Sequence, residues 1–188
     1  KYQWYMPVMP TAMESLNLQP YEMVISSASS FAKGIITEPQ AVHICYCHTP
    51  TRYLWHYSHQ YLQELRLPNF LKQIVSYEVS HIRSWDKLAA ERVDWFIANS
   101  RTTQERIKKY YGRESKVIYP PVDINKFNIS QNIGKYFLAG GRFIPHKRLD
   151  LAILAFNKLN IPLKIFGDGP DWKRLQKMAR ANIEFLGK

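Results

Sequence analysis

An α/β chain built from two parallel-sheet pieces is what this sequence predicts, and three observations carry the expectation. Short apolar runs alternate with helical stretches, most runs are bounded by Ser, Gly or Pro, and the alternation is interrupted once, at Pro120 and Pro121. With 46% apolar and 14% aromatic residues against only 8 Gly and 11 Pro, the 188-residue chain is neither disordered nor fibrous. No internal repeat or low-complexity tract appears.

The elements follow in order. MVIS (23–26) and AVHICYC (41–47) are β-branched or aromatic runs suited to strands buried on both faces. Thr49 and Pro50 offer a capping hydroxyl and a first-turn proline, and Leu54, Tyr57, Tyr61 and Leu65 recur at helical spacing until Pro68. A second helix is expected over about 71–92, where Ile74, Tyr77 or Val79, Ile82, Trp85 and Leu88 form an amphipathic stripe. DWFIANS (94–100) reads as a strand, Ser100 as the cap of a helix over 101–111, and Gly112 as its left-handed stop. KVIY (116–119) is a strand. The two prolines that follow cannot donate ladder hydrogen bonds, so a connector is expected over 120–128, joining a first piece (1–125) to a second (129–188). The second piece spells strand, helix, strand, helix, strand: YFLAG (136–140), 149–159, LKIFG (163–167), 171–181 and IEFL (183–186). Both pieces are incomplete doubly wound, Rossmann-like domains, and a half-built sheet marks the chain as an internal fragment.

Charge narrows the partners. Lys and Arg outnumber Asp and Glu by 26 to 15, and residues 127–188 hold 11 of those cations against 4 acids. Such a field suits phosphorylated small molecules, nucleic acid or an anionic membrane surface. No run approaches the roughly 18 apolar residues a membrane-spanning helix requires, and KYQWYMPVMP lacks signal-peptide order, so the chain reads as soluble and unsecreted. Cys45 and Cys47 share one strand face with His43. The pair is poorly placed to bridge, and the trio lacks a fourth ligand, so small buried residues are expected rather than a metal site.

Five stretches could carry chemistry. AGGRFIPHKRLD (139–150) lies between a strand's carboxyl end and a helix's amino end, where Gly140 and Gly141 permit close backbone approach and Arg142 with Lys147 would grip a diphosphate. FGDGP (166–170) is a second glycine turn, with Gly167 and Gly169 allowing close strand-to-helix packing. It is not G-x-G-x-x-G, and no P-loop exists. His48 ends a strand just before the Thr49–Pro50 helix start, where a neutral ring can hydrogen-bond a sugar hydroxyl or polarise a reacting group. SSASSFAKG (26–34) is a polar loop whose Lys33 and Gly34 could approach a ligand. Arg101, Arg106, Lys108, Lys109, Arg113 and Lys116, with Tyr110 and Tyr111, resemble a polyanion-binding patch.

Taken in order, SSASSFAKGI, CYCHTPTRYLW, FIANSRTTQERI, VIYPPVD, GGRFIPHKRLDLAILAF, LKIFGDGP and NIEFLG resemble the family-four retaining glycosyltransferases of the two-domain GT-B fold. Within that family the CHTPxRY run is similar to bacterial and archaeal mannosyltransferases of surface polysaccharide synthesis. The resemblance implies that Arg142 and Lys147, with Gly141, bind the donor diphosphate, and that His48 contacts the transferred sugar. It also implies that Lys33, Gly34, Asn99 and Ser100 line the acceptor side of the cleft, with Gly167 and Gly169 as further lining positions. Transfer would proceed with retention and without metal or other cofactor, from a nucleotide sugar (GDP-mannose favoured) to a glycan or lipid-linked acceptor. The family's glycine-rich first loop and its E-x7-E motif lie outside this sequence, which puts the activity of the fragment alone in doubt. A cytoplasmic enzyme, peripheral at an anionic membrane, fits the basic surface. Two other readings compete: a nucleic-acid-binding basic α/β module, and an inactive fragment of a glycosyltransferase.

Overall fold

The chain divides between Val122 and Asp123 into two units, and the computed structural model describes residues 2–65, 67–129 and 131–187. In unit 1 a 3-10 segment over Tyr2–Val8 runs into α1 (Met9–Glu14). Four parallel strands then lie side by side in chain order: β1 (Met23–Ala28), β2 (Val42–Cys47), β3 (Trp95–Ala98) and β4 (Ser115–Val117). The crossovers carry α2 (Ser58–Glu64), α3 (Asn69–Glu91) and α4 (Arg101–Tyr111).

Register explains the core. Cys45 pairs with Ser26 and Phe96, and Cys47 with Ala28 and Ala98, so these side chains share one sheet face. Ala90, Val93, Ile107 and Tyr111 cover that face from α3 and α4 and their flanks. Complete burial of a side chain such as Ile107 contributes about 1.5–3 kcal/mol. A second cluster, Phe31, Leu54, Val79 and Ile82, is joined by Met6, Met9 and Met13 from the amino-terminal segment. The opposite sheet face is open: Ile25 is 67% and Trp95 68% exposed. The expectation of strands buried on both faces is therefore corrected to burial on one, in β1 and β3 most plainly.

A second correction concerns the segment after β2. Thr49 and Pro50 do not open a helix; residues 52–57 form turns and α2 starts only at Ser58. Thr51 and Trp55 are drawn instead to Asp86 on α3, and those tertiary hydrogen bonds outweigh the local helix signal. By contrast, α4 has the expected ends. The Ser100 side chain accepts from Thr103 N, and Gly112 closes the helix at φ 69°.

Unit 2 is a parallel three-stranded sheet, β5 (Phe137–Gly140), β6 (Leu163–Phe166) and β7 (Ile183–Gly187), again in chain order. Its crossovers are α5 (Leu149–Leu159) and α6 (Trp172–Met178). The last of these is shorter than the expected 171–181, because Ala179 is already extended. Phe143, Ile153, Leu163, Ile165 and Leu175 form the core. Phe143 is the unexpected member: a loop residue between Arg142 and Ile144, fully buried and stacked on Trp172 at 5.3 Å.

Candidate functional site

In unit 1 the carboxyl ends of three parallel strands converge on a cavity of about 600 Å³. Ser29 and Ser30 follow β1, His48 and Thr49 follow β2, and Asn99 and Ser100 follow β3; all six line it. Ligands of open α/β sheets gather at this edge because the loops, not the strands, are free to carry side chains outward. His48 is fixed from several sides. Its Nε2 shares a 2.9 Å hydrogen bond with Ser27 Oγ, its backbone N donates to Ala28 O at 2.8 Å, and Thr103 Oγ1 donates to its carbonyl at 3.0 Å. Tyr46 meets its ring edge-on at 5.3 Å. Thr103 Oγ1 also lies 2.8 Å from Asn99 Oδ1, so the start of α4 is held to the ends of both β2 and β3. The helix nearest His48 is therefore α4, and not one begun at Thr49.

Arg52, Tyr53 and Arg106 also line this cavity. They were missed as site residues, although Arg52 and Tyr53 stand in CYCHTPTRYLW and Arg106 stands in the basic run. Arg106 Nη1 lies 3.4 Å from Thr49 Oγ1. Tyr53 shares a 2.8 Å hydrogen bond with Ser30 Oγ, and burial pushes its hydroxyl up to about 12, so it stays a neutral donor.

Two expected lining residues are elsewhere. Lys33 is 2% exposed, paired with Asp86 at 2.5 Å, bonded to Ser30 O and set over the Tyr111 ring. It is part of the interior, unavailable to a ligand. Gly34 is a packing residue, because a Cβ there would stand 2.3 Å from the Trp85 ring. Asp86 is the centre of this arrangement and was not anticipated. Its Oδ1 accepts from Lys33 and Thr51, its Oδ2 from Trp55 and Tyr111. Burial and the adjoining carboxylate push the Tyr111 hydroxyl far up, so it only donates.

The suggested polyanion patch disperses. Tyr111 is buried, Lys108 pairs with Glu114, and Arg113 forks onto the carbonyls of Ala90, Glu91, Val93 and Asp94. Arg106 turns to the cavity. The buried strand residues also find local partners. His43 shares a 2.8 Å hydrogen bond with Ser26 Oγ, and Cys45 and Cys47 are buried free thiols. Among the described residues no group of three or more His, Cys, Asp or Glu is gathered as a metal-ligand set.

In unit 2 the turn after β5 carries Gly141, Arg142 and, in a short 3-10 segment over Pro145–Lys147, Lys147. Arg142 and Lys147 are both exposed, and neither forms a side-chain ion pair among the described residues. Arg148, in contrast, is held by Asp150. Between the two free cations Phe143 plugs into the core, so the turn is anchored at its middle. The glycine turn after β6 is its floor. Phe143 N donates to Asp168 O at 2.8 Å and Asp171 N to Phe143 O at 3.1 Å. Gly167 has φ 125°, and a Cβ on it would lie 2.0 Å from Gly141 O; one on Gly169 would lie 2.4 Å from Phe143 O. Gly167 and Gly169 thus let one loop rest on the backbone of the other.

The fold has a solved counterpart. Over 97% of this chain and 36% of the other, at 14% identity and a TM-score of 0.52, the structure is similar to a point mutant of TarM from S. aureus, crystallised with fondaparinux, alpha-GlcNAc-glycerol and UDP. The architecture is of the GT-B type: a parallel sheet in each of two Rossmann-like units. The chain accounts for about a third of that protein's length. No protein-family model matches the sequence, and no curated protein matches it. Among the described residues no helix is long and apolar enough to cross a membrane.

Proposed function

We propose that this chain carries part of a glycosyltransferase that takes a sugar from a nucleoside-diphosphate donor. One observation carries the reading: two exposed cations without ion-pair partners among the described residues, Arg142 and Lys147, stand on a turn that Phe143 and the Gly167 turn anchor at the carboxyl edge of a parallel sheet. The likeness to a protein crystallised with UDP supports it.

As the glycosidic bond to the donor breaks, negative charge builds on the departing diphosphate and positive charge on the sugar carbon. Arg142 offers a planar fork and Lys147 a point charge, set in place before the reaction, which is the economical way to stabilise a leaving anion. With those cations present, transfer needs no metal ion. His48, oriented by Ser27, hydrogen-bonds a hydroxyl of the transferred sugar. The finer reading follows the family resemblance: a hexose, mannose from GDP-mannose first, moved with retention to a glycan or lipid-linked acceptor by an enzyme peripheral to an anionic cytoplasmic membrane face.

Calorimetric titration of the protein from its complete reading frame with GDP, UDP and an unrelated monoanion tests this. Binding of one nucleoside diphosphate that is lost in Arg142→Ala and in Lys147→Ala is the expected result. Equal binding in wild type and both variants contradicts it.

A further inference from the structure

We infer that the unit 1 cavity holds a phosphate of the acceptor, through Arg52 and Arg106. The acceptor assignment rests on the glycosyl-transfer reading; the phosphate site itself does not. Every charged side chain lining the cavity is a cation: Arg52 and Arg106 stand among Ser, Thr, Asn, Tyr and His, with no carboxylate. Neither guanidinium is ion-paired among the described residues, although acidic and basic groups pair readily elsewhere in the unit. Both fields reach His56, whose pKa is lowered by burial first and then by Arg106 and Arg52, so the two cations act on one region.

Two guanidiniums lining one cavity without counter-ions leave it electropositive, and a dianion bound there offsets that charge. A phosphate monoester offers two charges and three acceptor oxygens to two planar forks. Hydroxyls of Ser30 and Thr102 in the same lining supply neutral donors for the remaining lone pairs. The amino end of α4 adds little, since Ser100 already satisfies Thr103 N. A volume of about 600 Å³ is also too large for a bare ion and suits a phosphate with an attached organic group. On the glycosyl-transfer reading that group is the lipid of a lipid-linked acceptor or the sugar of a glycan.

Two monophosphate probes distinguish these sources: geranyl phosphate and glucose 6-phosphate, titrated into the complete protein by calorimetry beside GDP. At least one probe should bind, and Arg52→Gln and Arg106→Gln should each weaken it about tenfold or more while leaving GDP within twofold. Tighter geranyl phosphate marks a lipid-linked acceptor, and tighter glucose 6-phosphate a phosphorylated glycan. Because Arg52 is exposed, Arg52→Gln decides the matter if Arg106→Gln lowers the melting temperature. Absence of binding by both probes, unchanged binding in Arg52→Gln, or loss of GDP rather than of the monophosphate overturns the inference. Arg142→Ala serves as the separate control: loss of GDP there, with the monophosphate retained, keeps the fate of the donor reading distinct from this one.

Discussion

Lys33 and Asp86 form an ion pair in the interior of unit 1, 2.5 Å apart, with side chains 2% and 1% exposed. The pair bridges the loop after β1 to α3, and Asp86 also gathers Thr51 and Trp55 from the segment that carries His48, Arg52 and Tyr53. The network therefore shapes the cavity wall although neither Lys33 nor Asp86 lines the cavity.

Breaking this pair from one side should be costly. Asp86→Asn leaves the Lys33 ammonium buried and unneutralised and should lower the unfolding free energy by about 3–5 kcal/mol. The double variant Lys33→Met with Asp86→Asn removes both charges and should lose less than the sum of the single changes. Urea unfolding of the four proteins measures this. Additive losses would mean that the two residues do not interact.

How much of this was legible beforehand depends on the range of the signal. Residues 149–159 were expected as a helix and α5 has those bounds, and Ser100 and Gly112 frame α4 as read, because capping and left-handed termination are decided within a few residues. The burial of Lys33 is not legible in the sequence because its partner Asp86 stands 53 residues away, and a buried counter-ion cannot be seen from a loop of serines. Thr49 and Pro50 misled for the same reason: the helix they announce gives way to hydrogen bonds from Thr51 and Trp55 to that same distant carboxylate. Gly167 and Gly169 are legible as residues that permit close approach, but the approach is of the loop backbone at Gly141 and Phe143 and not of a helix to a strand.

A pH dependence follows from His43. Burial, with Arg92 adding and Asp94 opposing, holds its imidazole below the ordinary 6.5. The unfolded chain then takes up a proton that the folded chain refuses, so this residue's contribution is complete above pH 6.5 and is lost as the pH falls below it. Urea unfolding at a series of pH values from neutral downward should show stability declining, and His43→Gln should flatten part of that decline. An identical slope in the variant would remove His43 as its source.

The glycine floor should matter for binding as well as for folding. Gly167→Ala forces a Cβ toward Gly141 O from a backbone conformation with φ 125° and should destabilise unit 2 by about 1–3 kcal/mol. It should also weaken nucleoside diphosphate binding, since the displaced backbone carries Arg142. Thermal melts and calorimetry on one sample report both. Full affinity in a destabilised variant would separate the floor from the site.

Catalytic contributions should split by residue. In a transfer assay with the complete protein, Arg142→Ala or Lys147→Ala should lower kcat by about a hundredfold, or roughly 3 kcal/mol. His48→Ala should lower kcat about tenfold or more without changing the Kd of the nucleoside diphosphate product. Turnover with excess EDTA should equal turnover without it. A rate that collapses under EDTA and recovers with a divalent ion would refute metal-independent transfer.

The most direct measurement is a crystal structure of the complete protein with GDP or UDP bound. The diphosphate should lie within hydrogen-bonding distance of Arg142 and Lys147, over the Gly141 turn. A diphosphate lodged elsewhere, with both side chains extended into solvent, would contradict the account at its centre.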